Sequence, residues 1–138
     1  MLIKRSGKPH FTRRFPGMNS LSRRFILSGR DRVQVSVSEF YGEKGEQFDG
    51  VVYLVDETVR ILSGVAQVTW KDAEGGTNAE HVFAGDTYHV PAGEEYSVEF
   101  ISDVSAFCVF SPAANGTLPS SEMGLELEEY PGPGDKAA

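Results

Sequence analysis

The chain has 138 residues, a hydrophobic content of 40%, a charged content of 24% and a formal net charge of −7. These values are typical of one soluble globular domain with a single hydrophobic core. The single cysteine, Cys108, excludes an intrachain disulfide. No segment approaches the roughly 18 apolar residues of a membrane-spanning helix, and the first residues lack the apolar stretch of a secretory signal. The sequence therefore predicts a cytoplasmic protein.

Charge is distributed unevenly along the chain. Residues 1–32 hold nine of the thirteen Lys and Arg residues and one acid, Asp31, so this segment carries +8 and the rest carries −15. We predict an extended basic N-terminal arm with one short strand or turn near Arg24–Leu27. Such an arm could contact nucleic acid or lie against the acidic body of its own or a neighbouring subunit. We favour the second, because the acidic body would repel a phosphate backbone, and we expect neither a nucleic-acid nor a membrane partner.

Beyond the arm, the predicted elements are short strands. Val33, Val35 and Val37 alternate with polar residues, which indicates a strand with one buried face. Further strands are predicted at 50–56, 59–70, 81–84, 87–90, 96–101 and 105–111. Many short strands with few helical stretches predict an all-β sandwich or barrel over residues 33–112. Residues 113–138 are rich in Gly, Ser, Pro and Glu and are predicted to form an acidic, partly disordered tail.

Two glycine-anchored motifs lie within this β region. The first covers residues 45–64, begins Gly-Glu-Gln-Phe-Asp-Gly-Val-Val-Tyr and closes at Gly64. The second covers residues 85–96 and reads Gly-Asp-Thr-Tyr-His-Val-Pro-Ala-Gly-Glu-Glu-Tyr. Their spacing resembles the two signature motifs of the cupin superfamily. The resemblance implies a single-domain cupin, a double-sheet jelly-roll β-barrel, whose two motifs meet inside one end of the barrel.

The positions that usually hold metal ligands have changed. Cupins typically carry a His-x-His pair in the first motif and one His in the second, and the corresponding residues here are Val51, Tyr53 and Tyr96. The glutamate position is kept as Glu57. We therefore expect no cofactor, with a divalent iron or zinc ion held by Glu57 and Tyr88 as the alternative. A dioxygenase is disfavoured because such iron sites normally need two histidines.

Two narrower resemblances imply different functions. Residues 55–64, followed by Tyr-His-Val-Pro-Ala-Gly at 88–93, resemble the ethanolamine-utilisation EutQ-type cupins, which also lack the histidine cluster. This implies a protein that binds a small polar metabolite and is accessory to a catabolic pathway. Residues 108–112 with Gly116 resemble the end of ectoine synthase, a metal-dependent cupin that closes a ring by eliminating water. This implies a lyase, cyclase or isomerase with Glu57 as base or metal ligand.

Glu57 is the strongest candidate site residue, since a carboxylate facing a barrel cavity can act as a base with a raised pKa. The alternative is an exposed carboxylate at the end of a loop. Tyr88 and Tyr96 would orient a substrate or donate protons, unless they are core residues. These three form the predicted catalytic set, and Tyr53, Val51 and His89 the predicted ligand-binding set.

The remaining reactive side chains have simpler interpretations. The three histidines, His10, His81 and His89, are not spaced as paired metal ligands, and His89 should point away from its neighbour Tyr88. Cys108 lies in an apolar strand and is interpreted as a buried, inert thiol. We also expect a homodimer, because the cupin resemblance implies pairing through sheet faces and an N-terminal strand.

Overall fold

The computed structural model describes residues 1–113, so most of the predicted C-terminal tail lies outside the described residues. Two antiparallel sheets enclose one core, which confirms the predicted all-β, double-sheet architecture. The elements are β1 (Phe11–Arg14), β2 (Leu21–Ile26), α1 (Ser28–Asp31), β3 (Ser36–Gly42), β4 (Gln47–Val51), β5 (Asp56–Ser63), β6 (Val65–Lys71), β7 (Thr77–Phe83), β8 (Thr87–Val90), β9 (Tyr96–Phe100) and β10 (Val104–Ser111). The larger sheet has the order β1-β2-β3-β10-β5-β8, and the smaller has the order β4-β9-β6-β7. Within residues 1–113, no helix has the length and apolar composition to cross a membrane.

The N-terminal segment differs from the extended arm that its charge predicts. Strands β1 and β2 form a hairpin, and β2 pairs with β3 in the larger sheet. Its cations meet acids of the same chain: Arg23 Nη1 lies 3.4 Å from Glu39 Oε2. The Glu46 carboxylate accepts hydrogen bonds from the backbone N–H groups of Asn19 and Ser20, each at 2.8 Å. The segment therefore lies on the acidic body of its own subunit and forms part of the barrel wall.

Gly64 divides the strand predicted over residues 59–70. The chain passes from β5 in the larger sheet to β6 in the smaller one at this residue. Gly64 has φ +88°, and a Cβ atom there would lie 2.0 Å from the carbonyl oxygen of Asp103. Only glycine fits this combination of a left-handed backbone and a close backbone approach.

The turns of the second motif connect the ends of β8 to β5 and to the loop between β4 and β5. The N–H of Gly85 donates a 2.7 Å hydrogen bond to the carbonyl of Ile61, and the N–H of Gly93 donates a 2.9 Å bond to the carbonyl of Tyr53. Between these turns, β8 pairs with β5 so that Val90 lies opposite Glu57. The two motifs therefore meet at one end of the barrel.

The alternation of valines predicts that the valines of β3 face the interior, but in the structure the serines do. The strand begins at Ser36, and Ser36 and Ser38 are buried, whereas Val37 is half-buried on the outer face. Ser38 lies beside Cys108 of β10 in the sheet register. The Ser36 hydroxyl accepts a 3.0 Å hydrogen bond from the backbone N–H of Ser28, so this buried polar group has a partner.

Candidate functional site

Glu57 lies inside the barrel and not at the end of an exposed loop. Its position on β5 gives it the same inward face as Val59 and Ile61, and the residue is 4% exposed. The Tyr96 hydroxyl of β9 donates a 2.6 Å hydrogen bond to Glu57 Oε1. Burial raises the pKa of Glu57 to about 7, although the hydrogen bond from Tyr96 acts in the opposite direction. Near neutral pH this side chain can therefore hold or release a proton.

The other predicted residues of the two motifs, except His89, surround Glu57. Val51 is buried, Tyr53 and Tyr88 are half-buried, and all three line the same cavity as Glu57 and Tyr96. The Tyr53 ring lies edge-on to Phe110, with ring centroids 5.2 Å apart. Burial, followed by the nearby Glu57 charge, raises the pKa values of Tyr88 and Tyr96 well above their ordinary range. Both hydroxyls therefore stay protonated and can donate hydrogen bonds.

His89 does not line this cavity, and its place in the ligand-binding set stays a prediction. Its side chain is half exposed, with Nδ1 2.9 Å from Thr58 Oγ1 and Nε2 3.5 Å from Asp56 Oδ2. The reason is the two-residue period of a strand, which directs the side chains of Tyr88 and His89 to opposite faces of β8. His89 borders a second cavity, which is lined by residues of both sheets and also reaches Tyr88 and Tyr96.

Arg24 is a cavity residue that the sequence did not indicate. It lies on β2, is 3% exposed, and lines the cavity that holds Glu57. Its Cζ atom lies 4.8 Å from the centroid of the Phe110 ring. The one available signal is alternation along β2, where Ser22 and Arg24 are buried and Arg23 is half-buried on the other face. That signal is weak, because an arginine in a basic segment usually indicates solvent exposure.

The cavity itself is small and mixed in character. Its volume is about 60 Å³. Since one water molecule needs roughly 10–15 Å³ of such space, the cavity has room for a few waters or a small organic molecule. Apolar walls with a few inward polar groups are typical of small-molecule sites.

Cys108 also borders the cavity but is poorly suited to act as a nucleophile. It is buried, and burial raises the pKa of its thiol well above the ordinary value. The reactive form of a cysteine is the thiolate. The thiol is therefore a packing group, as the sequence predicts.

The residues at this end of the barrel do not fit the metal ion that many cupins hold. Among residues 1–113, no group of three His, Cys, Asp or Glu side chains is arranged to bind a metal. Glu57 already accepts a hydrogen bond from Tyr96, and both neighbouring tyrosines are neutral. One carboxyl group and protonated phenols make a weak donor set for iron or zinc.

Comparisons with known proteins identify the fold. No protein-family model matches the chain, and no curated protein matches it. Among solved structures, a cupin superfamily protein from Desulfitobacterium hafniense is 23% identical, with a TM-score of 0.58 over 69% of this chain and 80% of that one. A protein of unknown function from Streptococcus pyogenes is 23% identical, with a TM-score of 0.57 over 70% and 76% of the two chains.

A larger enzyme contains a similar unit. Oxalate decarboxylase from Bacillus subtilis is 18% identical, with a TM-score of 0.65 over 78% of this chain but only 29% of that one. The protein therefore has a cupin-like fold. At these identities the similarity establishes the fold alone.

Proposed function

We propose that the protein binds a small polar metabolite in the cavity between its two sheets, as an accessory protein of a catabolic pathway. The hydrogen-bonded pair of Glu57 and Tyr96 inside a cavity is the observation that carries the proposal. Burying a carboxyl group costs free energy that an apolar residue would avoid, so its presence beside unfilled space supports ligand binding. The pathway rests on the resemblance to the ethanolamine-utilisation cupins and stays a prediction.

Calorimetric titration tests this proposal. Ethanolamine, propane-1,2-diol and glycolate are titrated into the wild-type protein and into Glu57→Gln. We expect at least one probe to bind with one-to-one stoichiometry and Glu57→Gln to weaken it about tenfold, the effect of losing one strong hydrogen bond. Glu99→Gln, at an exposed position on the smaller sheet, is the matched control. No binding by any probe, or equal binding by Glu57→Gln, would contradict the proposal.

A second candidate function is a lyase or isomerase that needs no redox chemistry. It is favoured by the pKa of Glu57, which is about 7, because general acid–base catalysis is most efficient when the pKa is near the working pH. Glu57 would remove a proton beside a carbonyl group, and Tyr96 would orient it. The test follows exchange of deuterium into dihydroxyacetone by NMR. Exchange that disappears in Glu57→Gln supports this function, and no exchange above the buffer rate opposes it.

We also propose that the protein forms a homodimer through an outer patch on the larger sheet, defined as Tyr41, Leu62 and Phe107. These large side chains are exposed by 39%, 53% and 41%. In the sheet register Phe107 lies between Glu39 of β3 and Arg60 of β5. An apolar centre with an acid on one side and a base on the other is self-complementary under two-fold rotation.

Light scattering tests the dimer directly. Phe107→Glu should halve the molecular mass in solution, because a charge would enter an apolar contact. Thr69→Glu, on the outer face of the smaller sheet, should leave the mass unchanged. A wild-type monomer, or a dimer that persists in Phe107→Glu, would exclude this interface.

A further inference from the structure

We propose a second binding site, for a small organic cation with alkyl groups on its nitrogen, in the second cavity of the barrel. This cavity, called the cleft below, is the one that His89 borders, and Glu57 does not line it. The site therefore goes beyond the proposed function and does not rest on it. Its support is an acidic side chain, Glu80, near Trp70 on the inner face of the smaller sheet.

The cleft lies where both sheets end. Strand β8 is the last strand of the larger sheet, β7 is the last strand of the smaller one, and residues 84–86 join them. The volume of the cleft is about 550 Å³, within the roughly 300–1,000 Å³ of small-molecule sites, whereas the inner cavity has about 60 Å³. Tyr88 and Tyr96 line both cavities, so the two sites share part of their wall.

The strand register places Glu80 on the inner face of the smaller sheet. Glu80 of β7 pairs with Val68 of β6, which is buried, and residues directly opposite each other in a sheet point to the same face. Glu80 itself is exposed, so the cleft is open to solvent at this point. Within residues 1–113 no hydrogen bond or ion pair holds its carboxylate. This inward-facing acid is therefore available to a ligand.

Trp70 provides an aromatic surface near this carboxylate. It is half-buried and lies two residues along β6 from Val68. On the inner face it is therefore the diagonal neighbour of Glu80, at a backbone spacing of roughly 7–8 Å that aromatic and long side chains can bridge. Across the other edge of β6, Trp70 pairs with Tyr96 of β9. Aromatic faces attract cations, and quaternary ammonium ions are a ligand class that they commonly recognise.

The charge of the cleft also favours a cation. Its lining contains three acids and, among the described residues, no Lys or Arg, which gives a formal charge of −3 with histidine neutral. The acids are Glu80, Asp86 and Glu94. His81 and His89 lie on the outer faces of β7 and β8, because their neighbours Glu80 and Tyr88 point inward. An organic cation therefore gains attraction in the cleft, and a carboxylate is repelled.

Choline and its uncharged carbon analogue, 3,3-dimethylbutan-1-ol, test the inference on the unmodified protein. The two molecules have nearly the same shape and differ in charge. Trp70 is the single tryptophan of the chain, so tryptophan fluorescence reports a ligand beside its ring, and calorimetry at constant ionic strength measures the affinity. We expect choline to change the fluorescence saturably and to bind about 5- to 30-fold more tightly than the alcohol.

Substitutions locate the cation on the inner face of the smaller sheet. Glu80→Gln should weaken choline binding about threefold, the effect of one solvent-exposed ion pair. Trp70→Leu should weaken it about tenfold, and Trp70→Phe should retain part of the affinity because an aromatic face remains. Glu99→Gln, exposed on the outer face of the same sheet beside Gln67, is the matched control. Trp70→Phe and Glu80→Gln keep the test decisive if Trp70→Leu does not fold.

The outcomes separate this site from the inner one. Propane-1,2-diol and glycolate have no positive charge, so they serve as probes of the inner cavity. If they bind and choline does not, the inference is overturned and the proposed function stands. If choline binds as expected and they do not, the inference stands and the proposed function loses its support.

Three further results would overturn the inference. One is equal binding of choline and the alcohol by the wild type, and another is equal choline binding by Glu80→Gln and the wild type. The third is a rise in molecular mass of Glu80→Gln with unchanged choline binding. Glu80 would then protect the edge strand β7 from pairing with another chain, as inward-pointing charges do in other sheets.

Discussion

The two ends of the barrel interior use their buried residues in opposite ways. At one end Phe15, Phe40, Phe48 and Phe100 form an aromatic cluster, with ring centroids 4.8 Å apart for Phe15 and Phe48 and 5.5 Å apart for Phe40 and Phe100. At the other end Glu57, Tyr53, Tyr88 and Tyr96 bring polar groups to the cavity, which the four phenylalanines also line. The aromatic end is apolar and stabilises the fold by burial. The polar end places a carboxyl group where its ionised form is unfavourable.

This contrast separates the residues that stabilise the fold from those that we propose bind a ligand. Aromatic rings packed edge-to-face gain free energy without needing a hydrogen-bond partner. A buried carboxyl group gains less than it loses unless something further pairs with it. Substitutions at the aromatic end are therefore expected to lower the free energy of unfolding. Substitutions at the polar end are expected to change that free energy less and to weaken ligand binding.

The aromatic end should show the largest loss of stability. Phe100→Ala removes a ring that is 3% exposed and leaves a cavity, so the free energy of unfolding should fall by about 3–5 kcal/mol. Urea denaturation measures the loss. Phe83→Ala, at a site 52% exposed, is the control and should cost less than about 0.5 kcal/mol. A loss below about 1 kcal/mol for Phe100→Ala would remove the distinction between the two ends.

The polar end should make stability depend on pH. Below about pH 4.5, the ordinary pKa, Glu57 holds its proton in both the folded and unfolded chain. Between about 4.5 and 7 the unfolded chain releases it while the folded chain keeps it, so the free energy of unfolding falls as pH rises. The total fall is roughly 3 kcal/mol and levels off above pH 7.

Glu57→Gln should lack this dependence. Urea denaturation of both proteins from pH 4.5 to 8.5 gives the difference curve, with Glu99→Gln as control. Asp31 and Glu46, whose pKa values are lowered by hydrogen bonds despite partial burial, contribute stability that is lost as pH falls below their ordinary range. Because both proteins contain them, they cancel in the difference. Parallel curves for the wild type and Glu57→Gln would show that Glu57 ionises freely.

The smallest effect isolates one hydrogen bond within the polar end. Tyr96→Phe removes the donor 2.6 Å from Glu57 Oε1, so the pKa of Glu57 should rise further and stability should fall by about 1 kcal/mol. Carboxyl ¹³C chemical shifts in glutamate-labelled protein measure the pKa. Tyr88→Phe, which leaves this bond in place, should change it less. An unchanged pKa in Tyr96→Phe would mean that the bond does not favour the ionised carboxylate.

The sequence predicted the parts of the molecule that local physics determines. Glycines such as Gly64 and Gly93 have positive φ values because their turns require them. The spacing of these glycines therefore predicted the fold. Glu57 was predicted to face the barrel interior from its position in the first cupin-like motif, and it is buried there. Tyr96 was placed by the two-residue alternation of its strand. Their distance from each other depends on the pairing of two sheets, which alternation alone does not give.

The side-chain orientations that the sequence did not predict depend on pairing between distant strands. Arg24 lies in a segment whose composition indicates solvent, and it becomes an interior residue only because β2 joins β3. The valines around β3 alternate as a core strand would, yet Ser36 and Ser38 face inward. In both places the burial of a residue depends on which strands pair, and a single sequence does not show which segments face each other.

The position of β10 has a consequence for how the chain acquires its structure. Although β10 is the last strand in sequence among the described residues, it lies between β3 and β5 in the middle of the larger sheet. Until residues 104–111 have left the ribosome, β3 and β5 have no strand to join them, and the polar cavity has no wall at Phe110. We therefore expect the pairing of β10 with β3 and β5 to be slow relative to local hairpin formation, since such distant contacts carry a large entropic cost.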